Sequence, residues 1–220
     1  MIWKGKTVKK VLLISPHFDD AILSAGQYMA DRPDTTVVTV FAGLPLTPDN
    51  VHTPYDAKCG FKDARDAVGE RVRENSAACA MLNAEWMNLD FPDSQYNNNN
   101  TVEAIRENLQ ALIEETWYEA IYAPIGLDHP DHKMVTEAVM QLDFPRDIIL
   151  WEDMPFRVVE PLEANKRVLE LGLREYTQPA TTHEKIAKKM RALACYTSQM
   201  GTGILDPYVM YVPERFWKFK

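Results

Sequence analysis

The chain of 220 residues contains 46% apolar and 25% charged residues, a globular composition that excludes extended disorder and a fibrous repeat. It is expected to form a single domain over residues 1–220. Its net charge of −8 argues against a nucleic-acid-binding protein, because no excess of basic residues exists to neutralise phosphates. Three widely spaced cysteines indicate a reduced, cytoplasmic protein, and no apolar run reaches the roughly 18 residues of a membrane span.

The predicted elements alternate between short apolar strands and amphipathic helices. Strands are predicted at residues 8–15, 36–41, 86–89, 120–125 and 148–151. Helices are predicted at residues 17–30, 62–83, 100–117, 131–142 and 184–195, the third of them opened by a capping box of Asn100 and Glu103. This alternation predicts an α/β, Rossmann-like fold with a mostly parallel sheet and helices on both faces.

Two segments lie outside this alternation. Residues 43–61 carry three prolines and show no periodicity, so they are predicted to form a loop that rims a binding pocket and helps to select the substrate; a surface loop remote from the site is the alternative. The aromatic residues near the end are expected to dock into the core, with a contact in a homo-oligomer as the alternative. They are Tyr208, Tyr211, Phe216, Trp217 and Phe219.

Clusters of metal-binding side chains follow the first and fourth predicted strands. The first contains His17, Asp19 and Asp20, and the second occupies residues 128–132 with the sequence DHPDH. Ligands bind beyond the carboxyl ends of parallel strands, so neighbouring strands would bring the two clusters together. Imidazole and carboxylate suit zinc. Capping of the following helices by these acids is the alternative interpretation, and the lack of a glycine-rich turn argues against a nucleotide enzyme.

These clusters resemble the two main motifs of the PIG-L (LmbE-like) family of zinc-dependent N-deacetylases, which includes GlcNAc-phosphatidylinositol, mycothiol and bacillithiol pathway deacetylases. The first motif is similar to residues 15–21 (SPHFDDA), and the second to residues 129–132 (HPDH). Residues 71–74 (RVRE), 89–93 (LDFPD) and 196–199 (YTSQ) resemble weaker family segments. The resemblance covers about residues 8–200.

The resemblance implies a metal centre with three protein ligands. Its motif positions correspond to His17, Asp20 and His132 in this sequence. The expected metal is Zn²⁺, and Fe²⁺ could compete for the same mixed nitrogen and oxygen ligands.

The resemblance also implies catalytic roles for residues beside these ligands. Asp19 would act as general base and then general acid, and His129 would stabilise the tetrahedral intermediate, with Asp131 orienting it. Arg71 would contact the substrate. Some family members have a tyrosine at the position of Leu127, so that role is vacant here or filled from elsewhere.

The function that follows is metal-dependent removal of an acetyl group from an N-acetylated amino sugar or sugar conjugate, a small-molecule substrate. A non-catalytic sugar-binding or accessory protein on the same scaffold is the alternative. The presence of Asp19 argues against it, because a binding protein needs no base beside its metal.

Overall fold

The computed structural model describes residues 10–96, 99–178, 180–200, 202 and 211–220. The strands are β1 Val11–Ser15, β2 Thr35–Thr39, β3 Glu85–Asn88, β4 Ala120–Pro124, β5 Asp147–Trp151, β6 Leu173–Glu175 and β7 Phe216–Phe219. The helices are α1 Asp20–Met29, α2 Pro54–Lys58, α3 Ala64–Met81, α4 Val102–Glu115, α5 Pro130–Met140, α6 Phe156–Val159, α7 Pro161–Glu170 and α8 His183–Leu193. None of the helices in these ranges has the length and apolarity required to span a membrane.

The strands form one sheet in the order β3-β2-β1-β4-β5-β7-β6. Its first five strands are parallel, and β7 runs antiparallel to both of its neighbours. Val11 of β1 pairs with Thr35 on one side and with Ala120 on the other. The predicted neighbourhood of the first and fourth strands is therefore confirmed, and their carboxyl ends lie at the same edge.

Helices cover both faces of the sheet, as predicted. Leu13 of β1 packs into a core cluster with residues of α1, α3 and α8. Leu12 and Ile14 point to the opposite face and pack with residues of α4, α5 and α7. Side chains alternate along a strand, so a strand between two helical layers must be apolar at every position, as β1 is.

The structure differs from the sequence-based prediction in several segments. The predicted loop at residues 43–61 contains α2 and a 3₁₀ turn at Pro48–Asn50. Helix α4 is capped by Thr101, whose hydroxyl accepts a hydrogen bond from the amide of Ala104, and not by Asn100. Elements α6, α7, β6 and β7 were not predicted.

The predicted docking of the aromatic tail is confirmed in part. Phe216 and Trp217 of β7 are buried, whereas Tyr211 is 56% exposed and Phe219 is 37% exposed. Tyr208 lies outside the described residues.

Candidate active site

The turn after β1 places Asp19 at the start of α1 without a capping role. The hydroxyl of Ser15, the last residue of the strand, accepts a hydrogen bond from the amide of Ala21 at 3.0 Å and so satisfies the first turn of α1. Asp19 occupies the N-cap position, but its carboxylate makes no capping hydrogen bond to the described residues of that turn. Helix capping therefore does not account for Asp19.

The turn after β4 presents His129 at the start of α5. Gly126 and Asp128 have positive φ angles of 79° and 47°, which reverse the chain between the strand and the helix. His129 is the N-cap of α5, and its Nδ1 accepts a hydrogen bond from the amide of Asp131 at 3.2 Å. Because a backbone N–H can only donate, Nδ1 carries no proton, and the proton of a neutral His129 ring is on Nε2.

The two predicted clusters converge on the Asp20 carboxylate. Its Oδ2 atom lies 3.2 Å from His17 Nδ1 and 3.1 Å from His132 Nε2. The other ring nitrogens face different carboxylates: His17 Nε2 is 3.1 Å from Asp131 Oδ2, and His132 Nδ1 is 2.5 Å from Asp153 Oδ1. Each imidazole therefore has one nitrogen held by a carboxylate and the other directed at Asp20.

This arrangement fits a divalent metal. Ligand atoms 2.0–2.2 Å from a tetrahedral zinc ion are about 3.4 Å apart, close to the separations at Asp20. Metal-binding histidines usually donate their second ring N–H to a carboxylate, as His17 and His132 can. Ring nitrogens of His17, His129 and His132 also lie within 4.8 Å of one another, but Nδ1 of His129 already accepts from the amide of Asp131 and a neutral ring has its proton on Nε2, so His129 offers no free lone pair to a metal.

The electrostatics of the cluster favour a cation. Burial alone would lower the pKa of His17, but Asp93, Asp131 and Asp20 raise it well above its usual value. Burial likewise opposes protonation of His132, whose pKa Asp20 and a hydrogen bond to a second carboxylate raise to about 9. The carboxylates thus create a negative centre that a divalent ion would neutralise.

The two groups expected to move or donate protons have different environments. Burial, and then the charge of Asp20, raise the pKa of Asp19 to about 6, while His17 opposes the shift. Burial and the neighbouring imidazoles of His17 and His132 lower the pKa of His129, so this ring is neutral at neutral pH. A neutral ring with its proton on Nε2 can still donate one hydrogen bond.

The cluster lies in a cavity of about 390 Å³ that is lined in part by aromatic side chains. The ring of Phe41 is 5.8 Å from that of His17, and the ring of Phe156 is 5.3 Å from that of His132. Tyr55 of α2 also lines the cavity. The prediction that residues 43–61 reach the pocket is therefore confirmed at Tyr55, while selection of the substrate stays a prediction.

Arg71 lines the cavity but is held by protein groups. Its guanidinium lies 2.8 Å from Asp56 Oδ1 and is stacked over the rings of Tyr55 and Phe61, at 5.5 and 5.2 Å from their centres. Arg71 therefore fastens α2 to α3, and its contact with substrate stays a prediction.

Glu74 anchors the segment at residues 196–199. This carboxylate is 4% exposed and accepts hydrogen bonds from the Thr197 hydroxyl and from both the amide and the hydroxyl of Ser198. The Tyr196 hydroxyl lies 2.9 Å from the carbonyl oxygen of Phe18, within the first motif. Two of the three weaker family segments, residues 71–74 and 196–199, are thus joined at the pocket wall, a role that the sequence did not reveal.

Two further acids at the site were missed as candidates. Asp93 follows β3, and its Oδ2 is 3.9 Å from His17 Nε2. Asp153 follows β5 and contacts His132. Their position after parallel strands was the available signal, since neither belongs to a histidine-containing motif. Leu127, which stands where some family members have a tyrosine, is 3% exposed and packs in the core.

The chain is similar in sequence and fold to proteins of known family. The family model of the GlcNAc-PI de-N-acetylases (PIG-L) matches residues 12–142. The 2′-N-acetylparomamine deacetylase of Niallia circulans is 25% identical over 252 residues, covering 94% of this chain and 89% of the relative. The crystal structure of the A40926 pseudoaglycone deacetylase Dbv21 is 25% identical, with a TM-score of 0.77 and 96% of each chain covered. A deacetylase–teicoplanin complex from the teicoplanin pathway is also 25% identical, with a TM-score of 0.78 and coverage of 96% of this chain and 97% of that one. Since the family model spans more than half of the sequence, the chain belongs to the PIG-L family of GlcNAc-PI de-N-acetylases.

Proposed function

We propose that this protein is a zinc-dependent N-deacetylase that hydrolyses the acetamide of an N-acetylated amino sugar or sugar conjugate. One observation carries the proposal: Asp19, whose carboxylate makes no capping hydrogen bond to α1, lines the same cavity as the converging side chains of His17, Asp20 and His132. Hydrolysis requires a carboxylate beside the metal that can take a proton from water, whereas a binding protein would not need one.

The metal would be held by His17, Asp20 and His132. The ring nitrogens directed at Asp20 are the ones left free by the outer carboxylates, which supports their assignment as ligands. Bound zinc supplies Lewis acidity toward the amide carbonyl and lowers the pKa of water. The variants Asp20→Ala and His129→Ala, described below, test this ligand set.

Asp19 would move the proton. Its carboxylate accepts a proton from the attacking water as the water oxygen bonds to the acetyl carbon. The same carboxyl group then returns the proton to the amine nitrogen as the C–N bond breaks, which yields acetate and a free amine.

His129 would stabilise the charge that develops on the carbonyl oxygen. Its Nδ1 is fixed as an acceptor by the amide of Asp131, so its Nε2–H is the available donor. A donor held in place by the backbone needs no reorganisation during the reaction. Asp131 would position His129 through this backbone contact, because its carboxylate Oδ2 lies closer to His17 than to His129, at 3.1 and 4.0 Å.

The substrate class is supported by the relatives and by the pocket. The relatives are named for N-acetylparomamine, for the A40926 pseudoaglycone and for teicoplanin. A cavity of about 390 Å³ is within the range of small-molecule sites. We therefore propose a small N-acetylated conjugate as the substrate.

The proposal is tested by measuring amine and acetate release from acetylated sugars. Protein stripped with a chelator and reloaded with zinc or ferrous iron would be offered N-acetylglucosamine in free, lipid-linked, nucleotide-linked and aminoglycoside-linked forms. The Asp19→Asn variant should keep its metal and lose activity on the order of 10²-fold or more. Full activity in that variant would refute the mechanism, and sugar binding without hydrolysis by the unsubstituted protein would favour the accessory role.

A further inference from the structure

The carboxylate of Asp153 occupies a fully buried position behind the metal site. Asp153 follows β5 and is 0% exposed. Its Oδ1 lies 2.5 Å from His132 Nδ1, and its Oδ2 accepts a hydrogen bond from the amide of Gly126 at 3.1 Å. Both carboxylate oxygens are therefore committed to the segment that carries the second motif.

The neighbouring acid, Glu152, has a different environment. Glu152 is 2% exposed and contacts the indole N–H of Trp217 and the guanidinium groups of Arg157 and Arg215. Within the described residues, His132 is the basic side chain at ion-pair distance from Asp153. Glu152 thus contacts residues of α6 and of the segment around β7, whereas Asp153 contacts His132 at the site.

We infer that Asp153 is a positioning residue that fixes the ring orientation and tautomer of His132 for metal binding. A carboxylate at Nδ1 holds the proton on that nitrogen, so the lone pair of Nε2 points toward Asp20. Without this partner the ring could rotate or carry its proton on Nε2, and either change removes a ligand. The inference rests on the metal dependence in the proposed function, and it does not depend on the substrate.

The second oxygen of Asp153 extends this control to the backbone. Gly126 has a φ of 79°, and a Cβ there would lie 2.7 Å from the hydroxyl oxygen of Thr136, so the turn fits tightly against α5. That hydroxyl in turn contacts the carbonyl oxygen of His132 at 2.9 Å. Asp153 therefore holds both the ring of His132 and the turn from which its helix starts.

The experiment compares Asp153→Asn and Asp153→Ala with the matched control Glu152→Gln. The zinc dissociation constant is measured by competition with a chromophoric chelator, together with the melting temperature of metal-free protein. The Asp153 variants should bind zinc about 10–100-fold more weakly, the usual cost of losing such a partner. Glu152→Gln should lower the melting temperature while the zinc dissociation constant changes less than about 3-fold, because its partners lie outside the site.

Unchanged zinc affinity in both Asp153 variants would overturn the inference, as would an equal loss of affinity in Glu152→Gln. If the Asp153 variants fail to fold, ¹⁵N NMR of the zinc-loaded, unsubstituted protein decides the question. A strongly downfield-shifted proton on His132 Nδ1, the sign of a hydrogen bond to a carboxylate, supports the inference; an Nδ1 proton without that shift, or a proton on Nε2, refutes it. Selective loss of zinc affinity without hydrolysis of any acetylated sugar would refute the proposed function and leave this inference standing.

Discussion

A buried ion pair between Lys189 and Glu214 contacts backbone groups of helix α1, and its loss should lower the stability of the fold by a predictable amount. The side chains of Lys189 and Glu214 are 0 and 5% exposed, and their charged atoms are 3.0 Å apart. The two oxygens of Glu214 also accept hydrogen bonds from the amides of Gln27 and Tyr28. Lys189 donates in addition to the carbonyl oxygen of Leu23. This pair joins the C-terminal segment to the helix whose first turn carries Asp20.

Replacing Glu214 by Gln should cause a large loss of stability. The variant leaves the Lys189 ammonium buried without a counter-charge, and breaking such a pair costs about 3–5 kcal/mol. The NH₂ group of the introduced glutamine would also face the backbone N–H of Gln27 or Tyr28, which places two donors in contact. For a chain of this length, 1 kcal/mol corresponds to a shift in melting temperature of about 2–4 °C. The melting temperature should therefore fall by roughly 6–20 °C.

The assay is thermal unfolding followed by circular dichroism at fixed pH and metal concentration. The control is Glu184→Gln, which breaks the exposed i,i+4 pair with Lys188 and should cost less than about 0.5 kcal/mol. A double variant, Lys189→Met with Glu214→Gln, should recover part of the loss because it removes the unpaired charge. Equal melting temperatures for Glu214→Gln and Glu184→Gln would refute the reasoning.

Four further predictions concern the site. His132→Ala should bind no stoichiometric zinc, and retention of full metal content by elemental analysis would remove this residue from the ligand set. Asp20→Ala should lose metal whereas His129→Ala should keep it; the reverse result would assign the ligand to His129. Shortening residues 43–61 should change which acetylated substrate has the higher kcat/KM without changing metal content. If kcat/KM fell by the same factor for every substrate, the segment would be a lid or a stability element and not a selector. Glu74→Gln should lower the melting temperature, since a buried carboxylate with three donors is weakened, and an unchanged value would contradict its anchoring role.

The sequence predicted the fold best where burial dictates composition. Strands β1 and β4 lie between two helical layers and are buried at every residue, so their apolar runs were visible. Strand β6 has three residues, of which Arg174 and Glu175 are exposed, and it carries no such signal. The predicted cap of α4, Asn100, lies one residue before the observed cap, Thr101, because both residue types are acceptable caps and the choice depends on backbone geometry.

The site was predictable where one motif held several metal-type side chains. His17 and His132 come from segments more than a hundred residues apart, and the rule that ligands bind at the carboxyl ends of strands brought them together. Asp153 had the same position but stands without a histidine in its own segment, so composition gave no reason to select it. The anchoring of Arg71 by Asp56 depends on the path of α2, which no sequence pattern specified.

The place of β7 in the sheet dictates an order of assembly during synthesis. Strand β6 pairs with β7 and not with β5, so neither outer strand can join the sheet before residues 216–219 have left the ribosome. Chains are extended at about 5–20 residues per second, so one edge of β5 stays unpaired for several seconds, until β7 has been synthesised. An open edge with apolar side chains such as Leu150 and Trp151 is a template for pairing with another nascent chain. The risk of self-association is therefore greatest between the synthesis of β5 and that of β7, while the edge of β5 has no partner strand.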